Sequence, residues 1–318
     1  MSQSIAPPKK RLRTKMPFRK ALKNNWLLLV MLIPAVTFVL IFSYMPMSGL
    51  VLAFKTYRVR DGIFGSPWCG WQNFKFLLIS GKLWPITRNT ILYNLVFLTF
   101  NTACEVIFAL LLSELGGIWF KKISQTIMFL PYFISWVVIR AVMYNLFNFE
   151  HGVVNNVLTA MGLPAVDIYN NPNIWPPLLV IIKLWKSAGY GSVVYLASLT
   201  GQDREIFEAA EVDGANIFQR VWHISIPSLI PTIIIMLLLG VGNIFRGDFS
   251  LFYQTVGNNS MLLSTTDIID TFVFRSLINT GDIGMSSAAG LYQSVLCFIT
   301  VLIFNAAVKK YDPDYSLF

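Results

Sequence analysis

Long apolar runs dominate this sequence and restrict the folds available to it. The first run, Trp26–Met47, contains 22 residues without a charged side chain. A helix of about 20 apolar residues crosses the roughly 30 Å hydrocarbon layer of a bilayer. Five further windows are long enough to do the same: Thr90–Ser113, Thr126–Phe147, Ile174–Leu199, Ile224–Phe245 and Met285–Val308. The pattern predicts an all-α integral membrane protein with six transmembrane helices.

The charged residues are few and unevenly placed. Only 13% of the 318 residues are charged, whereas about 25% is usual in a soluble domain. The chain has 25 basic and 16 acidic residues, and eight of the basic ones lie in residues 1–25, which contain no acid. A basic block before the first apolar run favours a membrane anchor over nucleic-acid binding, and it predicts a cytoplasmic N-terminus.

Six spans would place both termini in the cytoplasm of a bacterial cell. Basic pairs before the third window (Lys121-Lys122) and after the sixth (Lys309-Lys310) agree with this topology. Residues 48–89 do not, because this predicted outer loop has six basic residues and one acid, and we expect a structured cap there. The expected organisation is a basic tail (1–25), a membrane domain (26–308) and a cytoplasmic C-terminal tail (309–318).

Motifs for catalysis or metal binding are missing from the sequence. There is no Cys-x-x-Cys pair, no His-Glu-x-x-His run and no glycine-rich phosphate loop, and His151 and His223 lie in different loops. The sequence therefore predicts no enzyme active site, no metal and no cofactor in this chain. Any ATP chemistry would belong to another polypeptide.

The most informative polar segment, residues 200–227, lies between the fourth and fifth windows. Its acidic residues recur every three positions, at Glu205, Glu208 and Glu211. This spacing predicts a short helix, a break at Gly214 and a second short amphipathic stretch. We expect Pro227 in the first turn of the next membrane helix. An acidic helix with apolar residues beside a membrane favours a protein partner over anionic lipid.

Residues 208–227 resemble the cytoplasmic EAA loop of ABC-importer permeases. The family pattern is E-A-A-x(3)-G-x(9)-I-x-L-P. The chain follows it at Glu208, Ala209, Ala210, Gly214, Ile224 and Pro227, with Ile226 in place of the usual leucine. The sequences around Trp185 look like those of the maltose-type carbohydrate uptake family. Residues 130–138 and 311–318 are similar to its subgroup for polysaccharides and complex oligosaccharides.

The resemblance implies a type I importer fold with partners. Two homologous permease chains would form the pore, and two ATPase subunits that bind ATP and Mg would dock beneath it. An extracytoplasmic binding protein would deliver an oligosaccharide. By position, Glu208 would pair with a basic group of an ATPase, and Ala209 and Ala210 would permit close approach. Gly214 would make the sharp turn that Asp213 helps to hold.

Six residues are candidates for the substrate pathway, because aromatic rings and polar groups suit a sugar: Trp185, Lys186, Tyr190, Asn243, Tyr292 and Gln293. Charged residues inside apolar windows are costly and are therefore functional candidates. Lys183 and Lys186 share a helix face and could bind an anionic uronate-containing oligosaccharide. They could equally pair with acids such as Glu105, or snorkel towards an interface. For Arg140, pairing or snorkelling is favoured.

Two other functions stay open from the sequence. The same machinery could import a non-sugar solute such as a peptide or a polyamine. The chain could also be a polytopic scaffold without a translocation path. The EAA spacing disfavours the scaffold, because it specifies an ATPase partner.

Overall fold

The computed structural model describes residues 23–311, so residues 1–22 and 312–318 of the two predicted tails lie outside the described residues. Within the described part the chain is mostly helical, and its one strand-like feature is an isolated antiparallel bridge between Lys55 and Trp68. The chain divides into two units, Met1–Val51 and Leu52–Phe318. All sites described below belong to the second unit.

Helix α1 (Trp26–Phe54) makes up the described part of the first unit and extends past its end. It changes from α-helical (Trp26–Val39) to π-helical (Leu40–Tyr44) and then to 3-10 hydrogen bonding (Met45–Phe54). Its side chains from Trp26 to Met47 are exposed and mostly apolar, a composition that suits a membrane-spanning helix. Because α1 runs to Phe54 and the next long helix begins at Leu83, the predicted outer loop 48–89 is shorter than expected.

The second unit continues with a series of helices, most of them short. In chain order, these are α2 (Gly62–Gly65), α3 (Gln72–Ile79), α4 (Leu83–Glu114), α5 (Ile118–Phe133), α6 (Trp136–Phe147), α7 (Val153–Ala160), α8 (Trp175–Thr200), α9 (Arg204–Val212), α10 (Ile217–Val241), α11 (Phe249–Thr255), α12 (Leu263–Thr266), α13 (Ile269–Ile278) and α14 (Ile283–Tyr311). The long helices α4, α8, α10 and α14 correspond to the second, fourth, fifth and sixth apolar windows.

By the criteria of length and hydropathy, the described residues contain fewer membrane spans than the predicted six. Among the described residues, four helices are long and apolar enough to cross a membrane: α1, α4, α10 and α14. The bent pair α5–α6 makes five if it counts as one span. Helix α8 has 26 residues, about 39 Å at 1.5 Å per residue, but it is not among the sufficiently apolar helices. The count of six therefore stays a prediction.

The third window, Thr126–Phe147, is not the continuous helix that its apolar sequence suggests. Helices α5 and α6 meet at 89° across a break of two residues. The last residues of α5 tighten into a 3-10 turn around Pro131, which lacks an N–H group. Ser135 then caps α6, because its hydroxyl oxygen accepts a hydrogen bond from the N–H of Val138 at 3.3 Å. A proline and a capping serine therefore break this window.

Helix α10 begins before its predicted start. The continuous helix runs from Ile217, but its main α-helical part begins at Ile226, so Pro227 lies in the first turn of that part, as expected. A proline inside a helix lacks a donor and crowds the carbonyl four residues earlier. The preceding turn, Val221–Ser225, is π-helical, and the N–H of Ile226 reaches the carbonyl of Val221. This wider turn lets the helix continue through the proline.

A small cap forms between α1 and α4, as expected from the sequence. Lys55 is 3% exposed, donates hydrogen bonds to the carbonyls of Ile63 and Phe64, and lies 5.0 Å from the centre of the Trp68 ring. Asn73 of α3 donates to the carbonyl of Ala53 at 2.9 Å. These contacts give the polar segment a defined structure.

Helices α4 and α8 pack against each other along much of their lengths and form the centre of the second unit. One apolar cluster includes Tyr93 and Trp175, and a second, further along both helices, includes Leu112 and Tyr195. A third cluster joins α3, α4, α13 and α14 around Phe272. Polar residues of α4 lie between the first two clusters, and they position the site described below.

Gly189 allows α8 to lie close to α5, and this contact generates a stability prediction. A Cβ atom at position 189 would lie 1.9 Å from the carbonyl oxygen of Met128, with nothing comparable at Gly290. We expect Gly189→Ala to lower the free energy of unfolding by about 1–3 kcal/mol, the usual range for overpacking. Thermal unfolding in detergent, compared with Gly290→Ala, measures the effect. Equal melting temperatures for the two variants would contradict it.

Candidate functional site

An irregular segment, residues 242–248, follows α10 and interrupts the helical backbone. Asn94 of α4 supports it, because the side-chain amide donates hydrogen bonds to the carbonyls of Ile244 and Arg246 at 2.8 and 2.9 Å. Non-helical backbone within a membrane protein persists only where other groups satisfy it or where it borders a water-filled cavity. A side chain 150 residues away in sequence thus holds the segment in place.

Asp270 and Gln293 hold the same segment from α13 and α14. One Asp270 carboxylate oxygen accepts hydrogen bonds from the Gly247 N–H at 2.7 Å and from Gln293 at 2.8 Å. Gln293 also donates to the carbonyl of Phe245 at 2.7 Å. Burial raises the pKa of the Asp270 carboxyl, while these hydrogen bonds oppose the rise by favouring the charged form. A Cβ atom on Gly247 would lie 2.3 Å from Ile268, so the close approach needs glycine.

An ion pair joins α8 to the start of α11. The Lys183 Nζ atom lies 2.7 Å from an Asp248 carboxylate oxygen, and each side chain is 24% exposed. The other Asp248 oxygen accepts from the N–H of Leu251 at 3.1 Å and caps α11. Lys183 is therefore paired, but with Asp248 and not with Glu105. Glu105 instead accepts a hydrogen bond from Asn101 at 2.7 Å.

These residues border a cavity of about 370 Å³ between α4, α8, α10 and the irregular segment. Its volume falls within the roughly 300–1,000 Å³ typical of ligand pockets. The wall is formed by Asn94, Phe97, Leu98, Asn101, Thr102, Glu105, Lys183, Tyr195, Met236, Gly240, Asn243, Arg246, Gly247 and Asp248. Amides, hydroxyls, charged groups and aromatic rings therefore line one space, and such a wall can bind a polyhydroxylated molecule.

Lys186 has a different role from the one that its position in an apolar window suggests. It is 8% exposed and donates hydrogen bonds to the carbonyls of Pro131, Tyr132 and Ile134, with distances of 3.3 and 2.7 Å for the first two. These carbonyls lie at the end of α5 and in the break after it, and the Pro131 carbonyl also accepts a hydrogen bond from the Ile134 N–H at 3.2 Å. A cation at a helix C-terminus is also favoured by the helix dipole. Lys186 thus satisfies the break between α5 and α6 instead of pairing with an acid.

The other pathway candidates on α8 lie outside the wall of this cavity. Trp185 and Tyr190 are 52% and 49% exposed. The Tyr190 ring stacks on Tyr132, with 3.9 Å between the ring centres. The surface around these two residues is therefore separate from the cavity.

The candidates on α14 are held by neighbouring helices. The Tyr292 hydroxyl lies 3.3 Å from the Thr87 hydroxyl, and Gln293 is 8% exposed within the Asp270 network. Of the six candidates, Asn243 is the one that lines the cavity. The sequence interpretation missed Asn94, Arg246 and Asp248. Glycines at 240, 242 and 247 interrupt the apolar run there and were the available signal.

The EAA segment, residues 200–227, has the predicted helix–turn–helix form. Asp203 caps the N-terminus of α9, and Asp213 is the C-cap residue. Gly214 comes next in the chain and has a φ of 78°. The Gly214 N–H donates to the carbonyl of Glu211 at 3.0 Å, and the Ala215 N–H donates to that of Ala210 at 2.9 Å. This pair of bonds forms a Schellman motif, which favours glycine because of its positive φ.

The outer surface of the EAA segment is both acidic and apolar. Glu208 and Ala209 are exposed, and Ala210 is partly buried. Further along, Val212 and Phe218 are 88% and 85% exposed. The segment therefore presents apolar side chains beside carboxylates at one end of α4, α8 and α10.

Arg220 connects the EAA segment to the membrane helices. Its guanidinium lies 3.1 Å from a Glu114 carboxylate oxygen at the end of α4, and it also pairs with Glu211 of α9. Arg220 itself belongs to the first turns of α10. The side chains of Arg220 and Glu114 are 12% and 23% exposed. One guanidinium thus joins three helices.

Comparison with known proteins identifies the family. Residues 105–312, well over half of the chain, match the family described as binding-protein-dependent transport system inner membrane component. The chain belongs to this family of transporter permease subunits. Its apolar helices accordingly make it a multi-pass membrane protein.

Several relatives resemble this permease over nearly the whole length. Protein LplB of Bacillus subtilis is 33% identical over 92% of each chain. The polygalacturonan/rhamnogalacturonan transport system permease protein YteP, from the same organism, is 29% identical, covering 93% of this chain and 91% of its own. A chain from the crystal structure of a bacterial ABC transporter involved in the import of the acidic polysaccharide alginate superposes with a TM-score of 0.83. It is 31% identical, and the match covers 92% of this chain and 99% of that one.

The Arg220 cluster can be tested by loss of its central charge. We expect Arg220→Gln to increase amide hydrogen exchange in α9, because Glu211 and Glu114 lose their shared cation. Arg204→Gln is the matched control, since its 3.8 Å pair with Glu208 is highly exposed and such pairs contribute little. Hydrogen exchange by mass spectrometry measures both. Equal exchange rates in the two variants would refute the anchoring role.

Proposed function

We propose that the chain is the transmembrane permease subunit of an ATP-driven importer that translocates an oligosaccharide by alternating access. The main support is the likeness over 92% of the chain to a permease chain of the alginate importer. A related structure, 30% identical with a TM-score of 0.82, is of the alginate transporter in complex with an alginate pentasaccharide-bound periplasmic protein. The polar cavity of about 370 Å³ is consistent with this function.

The proposed topology is that of a bacterial cytoplasmic membrane protein with six spans and both termini in the cytoplasm. It divides into a basic tail (1–25), a membrane domain (26–308) and a C-terminal tail (309–318). Helix α8 and the bent pair α5–α6 complete the six spans beside the four apolar helices. The eight basic residues of the N-terminal tail support this orientation.

The proposed partners follow from the family. A second homologous permease completes the pore, two ATPase subunits bind ATP and Mg, and an extracytoplasmic binding protein delivers the saccharide. The exposed acidic and apolar surface of the EAA segment is the part of this chain that suits an ATPase cleft. Glu208 would pair with a basic group there, Ala209 and Ala210 would allow close approach, and Asp213 and Gly214 would form the turn.

The structure offers a mechanical route from that surface to the cavity. Arg220 attaches α9 to α4 and α10. Helix α10 runs without interruption from Ile217 to Val241, about 37 Å at 1.5 Å per residue. It ends at the irregular segment 242–248, which borders the cavity. Closure of the ATPases would therefore move the cavity wall as a rigid-body change.

The solute class is tested by transport itself. YteP is a polygalacturonan/rhamnogalacturonan transport permease, and the similar crystal structure is of a transporter for the polysaccharide alginate. Both favour a saccharide over a peptide or a polyamine. The experiment is uptake by the complete transporter in proteoliposomes, supplied with neutral and acidic oligosaccharides. Failure with every saccharide would overturn the proposed class.

Glu208 provides a test of the proposed ATPase contact. We expect Glu208→Lys to abolish ATP-driven uptake, because the lysine would repel the basic group of the ATPase. Glu205→Lys, an exposed acid on the same helix, should retain uptake. Uptake and ATP hydrolysis are measured together in proteoliposomes, with insertion checked by protease protection. Normal uptake by Glu208→Lys would contradict the contact.

Gly214 provides an independent test of the turn. We expect Gly214→Leu to abolish coupling of ATP hydrolysis to uptake, because a φ of 78° costs a side chain about 1–2 kcal/mol and shifts α9. Gly62→Leu is the matched control, since Gly62 has a φ of 66° in the cap instead of the EAA segment. The ratio of saccharide imported to ATP hydrolysed separates the two. A normal ratio in Gly214→Leu would contradict the role of the turn.

A further inference from the structure

We propose that Arg246 binds a carboxylate of the transported saccharide, and hence that the substrate contains uronic acid residues. The inference rests on the proposed function, because it takes the cavity as part of the saccharide path. Arg246 lies in the irregular segment 242–248, is exposed, and lines the cavity.

The guanidinium of Arg246 is presented from a fixed backbone. The Arg246 carbonyl accepts a hydrogen bond from Asn94 at 2.9 Å, and the next residue, Gly247, donates to Asp270 at 2.7 Å. These bonds hold the main chain on both sides of the Arg246 side chain. The main chain that carries the Arg246 side chain is therefore already ordered before a ligand binds, which lowers the entropy cost of binding.

The other charged groups of the cavity already have partners. Lys183 and Asp248 form their 2.7 Å ion pair, and Glu105 is 8% exposed and bonded to Asn101. Within residues 23–311, no carboxylate forms an ion pair with Arg246 inside 4.0 Å. Among the residues that the structure describes, Arg246 is thus the basic residue of the cavity wall that is left for a ligand to neutralise.

Asp270 is the nearby acid that could compete for Arg246. Burial raises the pKa of the Asp270 carboxyl, and the positive charge of Arg246 opposes that rise. The two groups therefore interact electrostatically. One oxygen of the Asp270 carboxylate is engaged by the Gly247 N–H and the Gln293 amide at 2.7 and 2.8 Å, and no ion pair inside 4.0 Å joins this carboxylate to Arg246. It stabilises the backbone below Arg246 and leaves the guanidinium available.

The chemistry of this wall matches an acidic sugar. A guanidinium forms two parallel hydrogen bonds with a carboxylate, which a neutral hydroxyl cannot reproduce. The amides of Asn101 and Asn243 line the same cavity and suit hydroxyl groups, and Phe97 supplies an aromatic ring. A neutral saccharide would leave the Arg246 guanidinium without an anion to pair with. A uronate provides that anion.

The experiment uses the complete transporter with its binding protein in proteoliposomes. The probes are trisaccharides of galacturonic acid and of mannuronic acid, and the carboxyl-reduced neutral form of each. Binding of the same four probes to the transporter without the binding protein is measured by calorimetry, so that selection by the binding protein cannot hide the effect. The variants are Arg246→Gln and Arg246→Lys, with Arg60→Gln as the control for loss of an exposed arginine.

We expect Arg246→Gln to lower binding and uptake of at least one acidic trisaccharide about tenfold or more, as for loss of a charged hydrogen bond. Binding of its neutral form should not change, Arg246→Lys should fall between, and Arg60→Gln should match the wild type. Equal effects on acidic and neutral probes would mean that Arg246 is structural or meets the second permease, and would overturn the proposal. So would unchanged acidic binding, or a wild type that takes only neutral saccharides. A wild type that takes none of the four, and no other saccharide, would overturn the proposed function itself.

Discussion

Backbone groups away from water must find hydrogen-bond partners, and this requirement shapes the structure wherever a helix breaks. One break lies between α5 and α6, where Lys186 accommodates the carbonyls at the end of α5. The other is the irregular segment 242–248, which Asn94, Asp270 and Gln293 bond from three helices. In a membrane these partners cannot be water from the lipid side, so side chains supply them. The breaks are therefore stable features of the fold.

The cavity is a consequence of the second break. Because Asn94 and Lys183 face residues 242–248 from α4 and α8, polar groups converge where two apolar clusters leave room along the same helices. Asn94, which satisfies two carbonyls of the segment, thus also forms part of the cavity wall. Lys183, Asp248 and Glu105 of the same wall are engaged by an ion pair and a hydrogen bond. Arg246 differs from these residues, because its guanidinium lines the cavity without an ion-pair partner among the described residues.

The EAA segment and the cavity lie at opposite ends of the continuous helix α10. Helix α10 keeps its continuity across Pro227 by means of a π-helical turn, so under the proposed mechanism a displacement at Arg220 would be transmitted along it. The ion pairs of Arg220 connect this helix to α9 and to the end of α4. A partner bound to α9 would therefore act on the helices that frame the cavity through packed helices instead of a flexible loop.

The sequence by itself determined the local features. The apolar windows located the long helices, and the spacing up to Gly214 predicted α9 and its turn, because a positive φ there depends on residues within one or two turns. Tertiary structure decided the partners of the polar groups. Lys183 bonds a residue 65 positions away and Lys186 meets carbonyls more than 50 positions away. The periodicity of one helix shows which residues share a face, but only the packing of separate helices decides what that face meets.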